Sequence, residues 1–384
     1  MSVKGVELFA GGGGLLLGSA LAGVEHLAAA EWNRWACQTI RENEATGHPL
    51  VKGIQVLEGD VNGVSWSEVL GNRTVDLVTG GPPCQPFSLG GKARSADDDR
   101  DMFPATAHVI AELKPKAFVV ENVKGLTRSS FSDYFRYIQL RLQHPEVVAH
   151  EHETWFEHYS RLVREDGLVT SDLQYRLSTH LVDAADYGVP QRRHRVFMIG
   201  FREDISSDSW QFPEVTHSAA ALHQAQISGD YWQKYDVPQS QQHVIRMKKG
   251  DPLLKPWKTV RDGLLGLPHP LSDSASSFFD HTYQPGAKAY PGHTGSPIDE
   301  PSKALKAGVH GVPGGENMVR YHDGSVRYYS TREAARMQMF PDDYRLHGSW
   351  TEAMRQIGNA VPVELARIVV SSVTQCIESQ TKLT

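Results

Sequence analysis

The chain has 384 residues, of which 40% are hydrophobic and 22% are charged. This length predicts two domains, or one large domain with an insertion, and the composition excludes a collagen-like or wholly disordered chain. The formal net charge is −6, from 39 Lys and Arg residues against 45 Asp and Glu residues. A nucleic-acid site would therefore have to be a local basic face.

The cysteine content and the apolar runs predict the cellular setting. Three cysteines are too few for a disulfide framework, and none belongs to a CxxC pair for zinc. The first residues run directly into a strand pattern rather than into a signal peptide. Because no uncharged apolar run reaches about 18 residues, we expect no membrane-spanning helix. We therefore expect a reduced, soluble, cytoplasmic protein without a metal site.

Short apolar runs alternate with helix-like stretches over the first 200 residues. Strands are predicted over Val3–Ala10, Glu25–Ala30, Val75–Thr79, Ala117–Val120, Tyr175–Asp183 and Arg195–Gly200. Helices are predicted over Leu15–Ala22, Trp35–Asn43, Ala105–Leu113 and Phe131–Leu142. This alternation favours an α/β fold with a mostly parallel sheet covered on both faces. Ligands of such sheets bind beyond the carboxyl ends of the strands.

The pattern changes after about residue 203, where the chain becomes rich in His, Ser, Gly and Pro. Residues 241–262 contain six basic and two acidic residues. We therefore expect a separate loop-rich domain over about 203–320. Residues 1–202 together with about 321–384 then form the other domain.

Helical patterns return near the end of the chain. The spacing of Ser330 and Glu333 predicts a capping box at the start of a helix. The apolar periodicity of Val363–Ile377 predicts a closing amphipathic helix.

Four consecutive glycines, Gly11 to Gly14, follow the first predicted strand. Glycine permits a tight turn and lets a ligand approach the backbone, although such a turn is more often only structural. The spacing excludes two phosphate-binding motifs. GxGxxG would require glycine at Leu16 or Leu17, and a P-loop would require lysine at Ser19. The remaining interpretation is that the loop binds a cofactor without a phosphate chain.

Polar residues at two further strand ends fit a nucleoside. Glu31 and Trp32 follow the second predicted strand, where a carboxylate suits ribose hydroxyls and an indole suits an adenine face. Asp60 is a third polar group of this kind. A site that binds a nucleoside but has no phosphate-binding motif predicts S-adenosylmethionine as the cofactor.

Cys84 follows the strand predicted over Val75–Thr79 and lies among three prolines within five residues. A lone free cysteine is usually a small core residue. Because prolines fix the backbone path, Cys84 is better interpreted as a positioned nucleophile.

Charged residues at two other strands are candidates to assist this nucleophile. Glu121 ends a buried strand, where a carboxylate is paired, protonated or used to cap the next helix. Arg193 and Arg195 share one face of the last predicted strand. Their guanidinium groups suit Glu121 and a substrate carbonyl oxygen, and the alternative is a solvated basic strand edge.

These motifs, in this order, resemble those of the DNA cytosine-5 methyltransferase family of bacterial restriction-modification systems. The resemblance covers roughly residues 3–202 and 300–370, and it includes Ser330–Tyr344 and Gln356–Pro362. One departure is Glu7, where the family usually has Asp. The resemblance implies a Rossmann-like S-adenosylmethionine-dependent methyltransferase sheet with a smaller target-recognition domain, whose DNA-reading part is about 203–297.

The resemblance also implies roles for single residues. The implied cofactor-binding residues are Glu7, Phe9, Gly11, Gly13, Glu31, Trp32, Asp60, Pro83 and Asn359. In the implied reaction Cys84 adds to carbon 6 of a flipped-out cytosine and Glu121 acts on ring nitrogen 3. Arg195 holds the base carbonyl oxygen and Arg193 orders Glu121. Carbon 5 then takes the methyl group, and S-adenosylhomocysteine is the product.

Double-stranded DNA is the implied partner. The predicted DNA contacts are Gln85, Ser88, Lys92, Arg94, Lys248, Lys249, Lys258 and Arg261, within a basic face that adds Arg246, Lys255, Lys303, Lys306, Arg320 and Arg327. We expect a monomer. We also expect a cognate restriction endonuclease that acts on the same site without forming a stable complex.

Two rival functions remain at this point. A methyltransferase of the same fold acting on tRNA is disfavoured by the roughly 100-residue insertion with its basic stretch. A non-catalytic DNA-binding regulator is disfavoured because binding alone requires no nucleophile. A zinc deaminase is excluded because Cys84 has no CxxC partner.

Overall fold

A computed structural model describes residues 2–83, 102–165, 172–246, 250–307 and 317–381. Its centre is a seven-stranded sheet. The strands are β1 (Val3–Leu8), β2 (Val24–Glu31), β3 (Gln55–Glu58), β4 (Leu77–Gly80), β5 (Ala117–Val123), β6 (Tyr175–Asp183) and β7 (His194–Arg202).

The strand order across the sheet is β3-β2-β1-β4-β5-β7-β6. Neighbouring strands from β3 to β5 are parallel, whereas β7 runs antiparallel to both β5 and β6. The predicted α/β fold with a mostly parallel sheet is confirmed. The sequence pattern missed β3, because its four residues lie at the sheet edge and none of them is fully buried.

Helices cover both faces of this sheet. The helices of the described residues, of which α7 to α9 lie in the loop-rich part of the chain, are α1 (Gly14–Leu21), α2 (Arg34–Ala45), α3 (Trp66–Leu70), α4 (Phe103–Leu113), α5 (Ser132–Gln143), α6 (Trp155–Glu165), α7 (Ala219–Ser228), α8 (Asp230–Lys234), α9 (Val260–Leu264), α10 (Thr331–Met337), α11 (Trp350–Asn359) and α12 (Val363–Thr381). Alternate strand residues face opposite layers. Val6, Val78 and Val120 pack in the layer of α4 and α5. Leu77 and Val119 pack in the layer of α12.

The segment Trp350–Ser379, which contains α11 and α12, is apolar and long enough to cross a membrane by length and composition alone. In the structure, however, 61% of its most apolar stretch of 18 residues is buried. Helix α12 packs along α1 and against β1 and β5. Its apolar side chains, such as Leu365 and Val369, therefore serve the core of the domain.

The loop-rich part of the chain has its own small core. It contains α7, α8, α9 and a two-stranded sheet of β8 (His217–Ser218) and β9 (Lys255–Pro256). Leu222, Trp232 and Trp257 are buried together there. The Trp257 indole donates to Asp186 Oδ1 at 2.9 Å, which fixes this core to the loop before β7.

A three-stranded sheet joins the two parts of the molecule. It consists of β10 (Ser296–Pro297), β11 (Met318–Arg320) and β12 (Val326–Tyr328). The boundary expected at about residue 320 falls between two of these strands. Val319 also packs in a core cluster that contains both Leu16 of α1 and Val260 of α9.

The capping box predicted from the sequence is confirmed. The Ser330 hydroxyl accepts from the Glu333 backbone N–H, and the Glu333 carboxylate accepts from the Ser330 backbone N–H. This reciprocal pair satisfies two N–H groups at the start of α10.

Two glycines let α1 approach the chain that leads into α12. A Cβ added to Gly14 would lie 2.3 Å from the Val361 carbonyl oxygen, and one added to Gly18 would lie 2.6 Å from that of Val363. Side chains at either position would force the two helices apart.

We expect Gly18→Ala to lower the free energy of unfolding by about 1–3 kcal/mol, because the added methyl group overpacks the α1–α12 contact. The measurement is urea-induced unfolding followed by circular dichroism. Gly63→Ala is the matched control, since a Cβ there meets open space. Equal unfolding midpoints for the two variants would contradict this packing.

Candidate active site

The glycine loop begins where β1 ends, at the carboxyl edge of the sheet. Phe9, Gly11 and Gly13 have positive φ angles of 56°, 55° and 98°. A Cβ on Gly13 would also lie 2.9 Å from the Tyr344 hydroxyl oxygen, so only glycine fits there. Phenylalanine in the left-handed region is strained, and such strain concentrates at functional sites.

Glu31, at the end of β2, ties this loop to the neighbouring strand. Its carboxylate accepts hydrogen bonds from the backbone N–H groups of Gly11 at 2.7 Å, Asn33 at 2.8 Å and Trp32 at 3.0 Å. Burial raises the pKa of Glu31, while these three hydrogen bonds oppose the rise. The position of the carboxylate is therefore fixed before any ligand binds.

Two further groups border the same edge. The Trp32 side chain is 79% exposed, which is unusual for an indole. Asp60 is exposed after β3 and accepts from the Asn62 backbone N–H at 3.0 Å. A Cβ on Gly11 would meet nothing within 4 Å. An open loop, a fixed carboxylate and an exposed indole fit a nucleoside-containing cofactor.

Helix α11, which lies far along the chain, packs against the other side of the glycine loop. A Cβ on Gly12 would lie 3.0 Å from Gln356 Cβ. The Gln356 side chain accepts from Thr39 Oγ1 at 2.7 Å and donates to the His347 carbonyl at 2.8 Å. Asn359 lies exposed at the end of this helix. The glycine loop is thus held between α2 and α11.

A row of polar side chains crosses the centre of the sheet. Glu7 on β1 is 1% exposed, and Thr79 on β4 donates a hydrogen bond to its carboxylate. Burial raises the pKa of Glu7 to about 8. Glu121 on β5 is 6% exposed and forms an ion pair with Arg195 on β7. Burial raises the pKa of Glu121, and the charges of Arg195 and Arg193 oppose this.

Arg193 has different partners from those expected. Its guanidinium donates to the carbonyl of Leu305 at 2.9 Å and to that of Gly358 at 2.5 Å. The ion pair with Glu121 is made by Arg195, while the charge of Arg193 also acts on Glu121, so the ordering role of Arg193 stays a prediction. Arg193 itself holds two distant segments beside the start of β7. Gln191 assists, since its side chain accepts from the Leu305 N–H at 3.0 Å.

The predicted nucleophile Cys84 lies outside the described residues, as do Gln85, Ser88, Lys92, Arg94, Lys248 and Lys249. The chain just before it is described. A Cβ on Gly81 would lie 3.1 Å from Glu121 Oε2. Asn122 Nδ2 donates to the Pro82 carbonyl at 3.0 Å, and Pro83 is exposed. The segment that leads to Cys84 therefore passes directly beside Glu121.

Two arginines assigned to the DNA face are engaged elsewhere. Arg261 pairs with Asp299 at 2.6 Å. Arg327 is buried and makes two 2.6 Å contacts with Glu333. Both guanidinium groups therefore stabilise the fold, and their contact with a duplex stays a prediction.

The remaining basic residues of this face lie nearer the surface. Arg246 and Lys255 are exposed. Lys258 and Arg320 are half-buried. Lys303 donates to Thr294 Oγ1 at 3.1 Å, and Lys306 is exposed. No group of three or more His, Cys, Asp or Glu side chains in the described part of the chain is placed to hold a metal ion.

Sequence reasoning missed Thr79 as a partner of Glu7. The sequence could have indicated this contact, because Thr79 lies in a buried strand two residues after Leu77 and therefore on the same face. Sequence reasoning also left Tyr344 without a role, although its ring lies against the glycine loop.

The sheet order, the glycine loop and the strand-end carboxylates define an S-adenosylmethionine-dependent methyltransferase fold. The fold is similar to that of a prophage-encoded DNA modification methyltransferase (E. coli), with a TM-score of 0.61 and 22% identity over 98% of this chain and 100% of that chain. It is also similar to the Dnmt2 methyltransferase of S. pombe, with a TM-score of 0.56 and 18% identity over 98% and 99% of the two chains.

Sequence comparisons identify the family. The family model for C-5 cytosine-specific DNA methylase matches residues 3–144 and 147–375. Type II methyltransferase M.PspPI of Psychrobacter sp. (strain TA137) is 31% identical over 380 residues, covering 98% of this chain and 80% of the relative. Type II methyltransferase M.Eco47II of Escherichia coli is 30% identical over 386 residues, covering 98% and 80%. The chain belongs to the C-5 cytosine-specific DNA methylase family and is a DNA cytosine-5 methyltransferase.

We expect Arg327→Ala to lower the free energy of unfolding by about 3–5 kcal/mol, because it leaves the Glu333 carboxylate buried and unpaired. Lys255→Ala, an exposed basic residue, is the control and should unfold like the wild type. The measurement is urea unfolding of the DNA-free proteins. If Arg327→Ala unfolded like the control, the stabilising role of the Arg327–Glu333 pair would be wrong.

Proposed function

We propose that this enzyme methylates carbon 5 of a flipped-out cytosine in a specific duplex sequence through a covalent adduct on Cys84. It is the modification enzyme of a restriction-modification system. The observation that carries the proposal is the buried Glu121–Arg195 pair, which the chain from Gly81 to Pro83 approaches just before Cys84. Its relatives named Type II methyltransferases support the biological setting.

The chemistry follows from the weak nucleophilicity of carbon 5 in an aromatic ring. Addition of the Cys84 thiolate to carbon 6 breaks the conjugation and leaves an enamine-like carbon 5. Glu121 hydrogen bonds to ring nitrogen 3 or protonates it, which neutralises the charge that develops there. Arg195 holds Glu121 and the base carbonyl oxygen. Once carbon 5 carries the methyl group, loss of its proton restores the ring and expels Cys84 as the thiolate.

The cofactor is held at the neighbouring strand ends. S-adenosylmethionine, when bound, supplies an electrophilic methyl group. In this proposal the Glu31 carboxylate binds the ribose hydroxyls, Trp32 stacks on the adenine, and Asp60 takes the adenine amine. Phe9, Gly11 and Gly13 line the loop, while Glu7, Pro83 and Asn359 border it. The exposed Trp32 and the fixed carboxylate of Glu31 support this arrangement.

Duplex DNA lies across the basic face in this proposal. Arg246, Lys255 and Lys258 contact phosphates, while side chains of about 203–297 read base edges in the major groove. Lys92 and Arg94 follow the catalytic turn and close over the DNA. The enzyme works as a monomer, and a cognate endonuclease recognises the same site without a stable complex.

We expect Cys84→Ser to reduce methyl transfer by more than about a thousand-fold, because the alcohol is a far weaker nucleophile than the thiolate. The measurement is bisulfite sequencing of DNA from an expression host that lacks cytosine methylation. Cys376→Ser is the control, and it should retain activity because Cys376 lies on α12.

Undiminished methylation by Cys84→Ser would overturn the proposed chemistry. Duplex DNA carrying 5-fluorocytosine gives an independent test, since fluorine cannot leave as a proton. The wild-type protein should remain covalently attached to this duplex, whereas a DNA-binding regulator would form no adduct. Transfer to total tRNA in preference to duplex DNA would favour the rival function.

We expect Trp32→Ala to weaken S-adenosylmethionine binding, because base–aromatic stacking contributes about 1–3 kcal/mol, or roughly 5- to 150-fold in Kd. Thermal stability should not change, since the indole is exposed. The measurement is isothermal titration calorimetry. Trp32→Phe should recover most of the affinity, and Tyr290→Ala, another exposed aromatic residue, should have no effect. Unchanged affinity of Trp32→Ala would remove Trp32 from the cofactor site.

A further inference from the structure

We propose that Lys124, Arg192 and His194 form a phosphate-binding site, which holds the backbone of the target DNA strand beside the flipped cytosine. The inference rests on the proposed function, which places that cytosine at Glu121 and Arg195. It adds a contact to the DNA backbone from the sheet itself, outside the basic face of the loop-rich region.

The register of the sheet brings Lys124 and His194 together. His194, the first residue of β7, pairs with Asp183, the last residue of β6. On its other side, β7 pairs antiparallel with β5, and Val123, the last residue of β5, pairs with Arg195. The same register, continued by one residue, places Lys124 opposite His194. The ends of three neighbouring strands therefore meet at this point.

Asp183 is the buried anchor of this group. The Arg192 Nε–H donates to Asp183 Oδ2 at 3.0 Å, and His194 Nε2 lies 3.7 Å from the same oxygen. The other carboxylate oxygen accepts from the Arg193 backbone N–H at 2.9 Å. Because Asp183 is 8% exposed, its carboxylate holds these side chains without being presented to solvent.

The Arg192 guanidinium is held in place on its other sides as well. It lies over the Trp257 ring, 5.2 Å from the centroid, and the Arg192 backbone N–H donates to the Ser302 carbonyl at 2.8 Å. The side chain is nevertheless 42% exposed. Within the described ranges, its two terminal nitrogens have no hydrogen-bond partner. A planar guanidinium fixed in this way presents two parallel donors, which match the oxygens of a phosphate.

The charges of the group favour an anion. Lys124 is exposed, and the described part of the chain gives it no ion-pair partner. Burial lowers the pKa of His194, Asp183 raises it, and the charges of Lys124 and Arg192 lower it again. Both cations therefore lie near one imidazole ring. Cations that share a small surface repel one another, and a bound anion relieves this repulsion.

The position of the group beside the candidate active site indicates which anion it binds. Lys124 follows Glu121 by three residues, and His194 directly precedes Arg195. A flipped nucleotide remains joined to its strand through its phosphates, so a base at the Glu121–Arg195 pair brings those phosphates to this edge of the sheet. Contacts of this kind fix the position of the duplex.

An arginine with two free donors could instead read the edge of a guanine. Lys124 and His194 favour the phosphate, because they add charge without the planar geometry that guanine recognition requires. The two ligands also predict different effects of substitution. Loss of a phosphate contact weakens binding to all sequences, whereas loss of a guanine contact reduces the preference for one sequence.

The test measures binding to two fluorescent duplexes by anisotropy over a range of salt concentrations. One duplex carries the methylated site mapped by bisulfite sequencing, and the other carries that site scrambled. We expect Arg192→Ala to weaken binding to both duplexes by about tenfold or more. The slope of log Kd against log salt concentration should fall by about one. Lys124→Ala, a change of an exposed side chain, should lower the slope in the same way.

Arg176→Ala is the matched control. Arg176 lies on β6 at the opposite end of the β6–β7 pair, is 41% exposed, and pairs with Asp208 at 2.7 Å. Its removal should leave both the affinity and the slope unchanged. Arg192→Lys, which keeps the charge, should restore the slope. Unchanged slopes in Arg192→Ala and Lys124→Ala would overturn the proposal. So would a loss of preference between the duplexes at an unchanged slope, which would assign Arg192 to guanine.

Single uncharged phosphates identify the contact directly. Each phosphate within about three nucleotides of the methylated cytosine is replaced in turn by methylphosphonate. One replacement should weaken binding of the wild type by about tenfold or more. The same replacement should not weaken binding of Arg192→Ala further, because the partner is already absent. Additive losses at every position would overturn the proposal.

Cys84→Ser separates this inference from the proposed function. If Cys84→Ser methylates at the full rate, the proposed chemistry fails, while the salt slopes still test the phosphate site. If Cys84→Ser is inactive and the slopes of Arg192→Ala and Lys124→Ala equal that of the wild type, the chemistry stands and the phosphate site fails.

Discussion

The buried ion pair of Glu121 and Arg195 is the interaction on which the site depends. Glu121 lies near the carboxyl end of β5, which is parallel to β4, and a charge buried there requires a cation within reach. A parallel neighbour would begin at the opposite edge of the sheet. Because β7 is antiparallel to β5, its first residues lie at the carboxyl end of β5. The reversed strand therefore brings Arg195 to the edge where the glycine loop also lies.

The same strand organises chain segments that are distant in sequence. Arg193 binds carbonyl groups 112 and 165 residues away, at Leu305 and Gly358. Gln191 holds the Leu305 N–H and the Met337 carbonyl. These buried hydrogen bonds place the segment after the loop-rich region and the end of α11 beside the start of β7. The candidate site is thus assembled from chain segments on both sides of the loop-rich region.

Local patterns predicted much of this structure from the sequence. The strand Tyr175–Asp183 has the predicted bounds, and the Ser330 capping box is present, since both depend on neighbouring residues. Charge counts were less informative. They placed Arg261 and Arg327 on a DNA face, whereas buried carboxylates at Asp299 and Glu333 hold them. The partners of Arg193 are backbone carbonyls, which no sequence pattern distinguishes.

The close contact between α1 and α12 has a consequence for synthesis of the protein. Helix α1 directly follows the first strand, but the layer that covers one face of that strand includes Leu365 and Val369 of α12. The ribosome must therefore make the entire insertion before this face of the sheet can be sealed. Such long-range closure slows folding and leaves apolar surface open in the nascent chain. During that interval we expect chaperones to bind the N-terminal half, because its apolar surface is exposed.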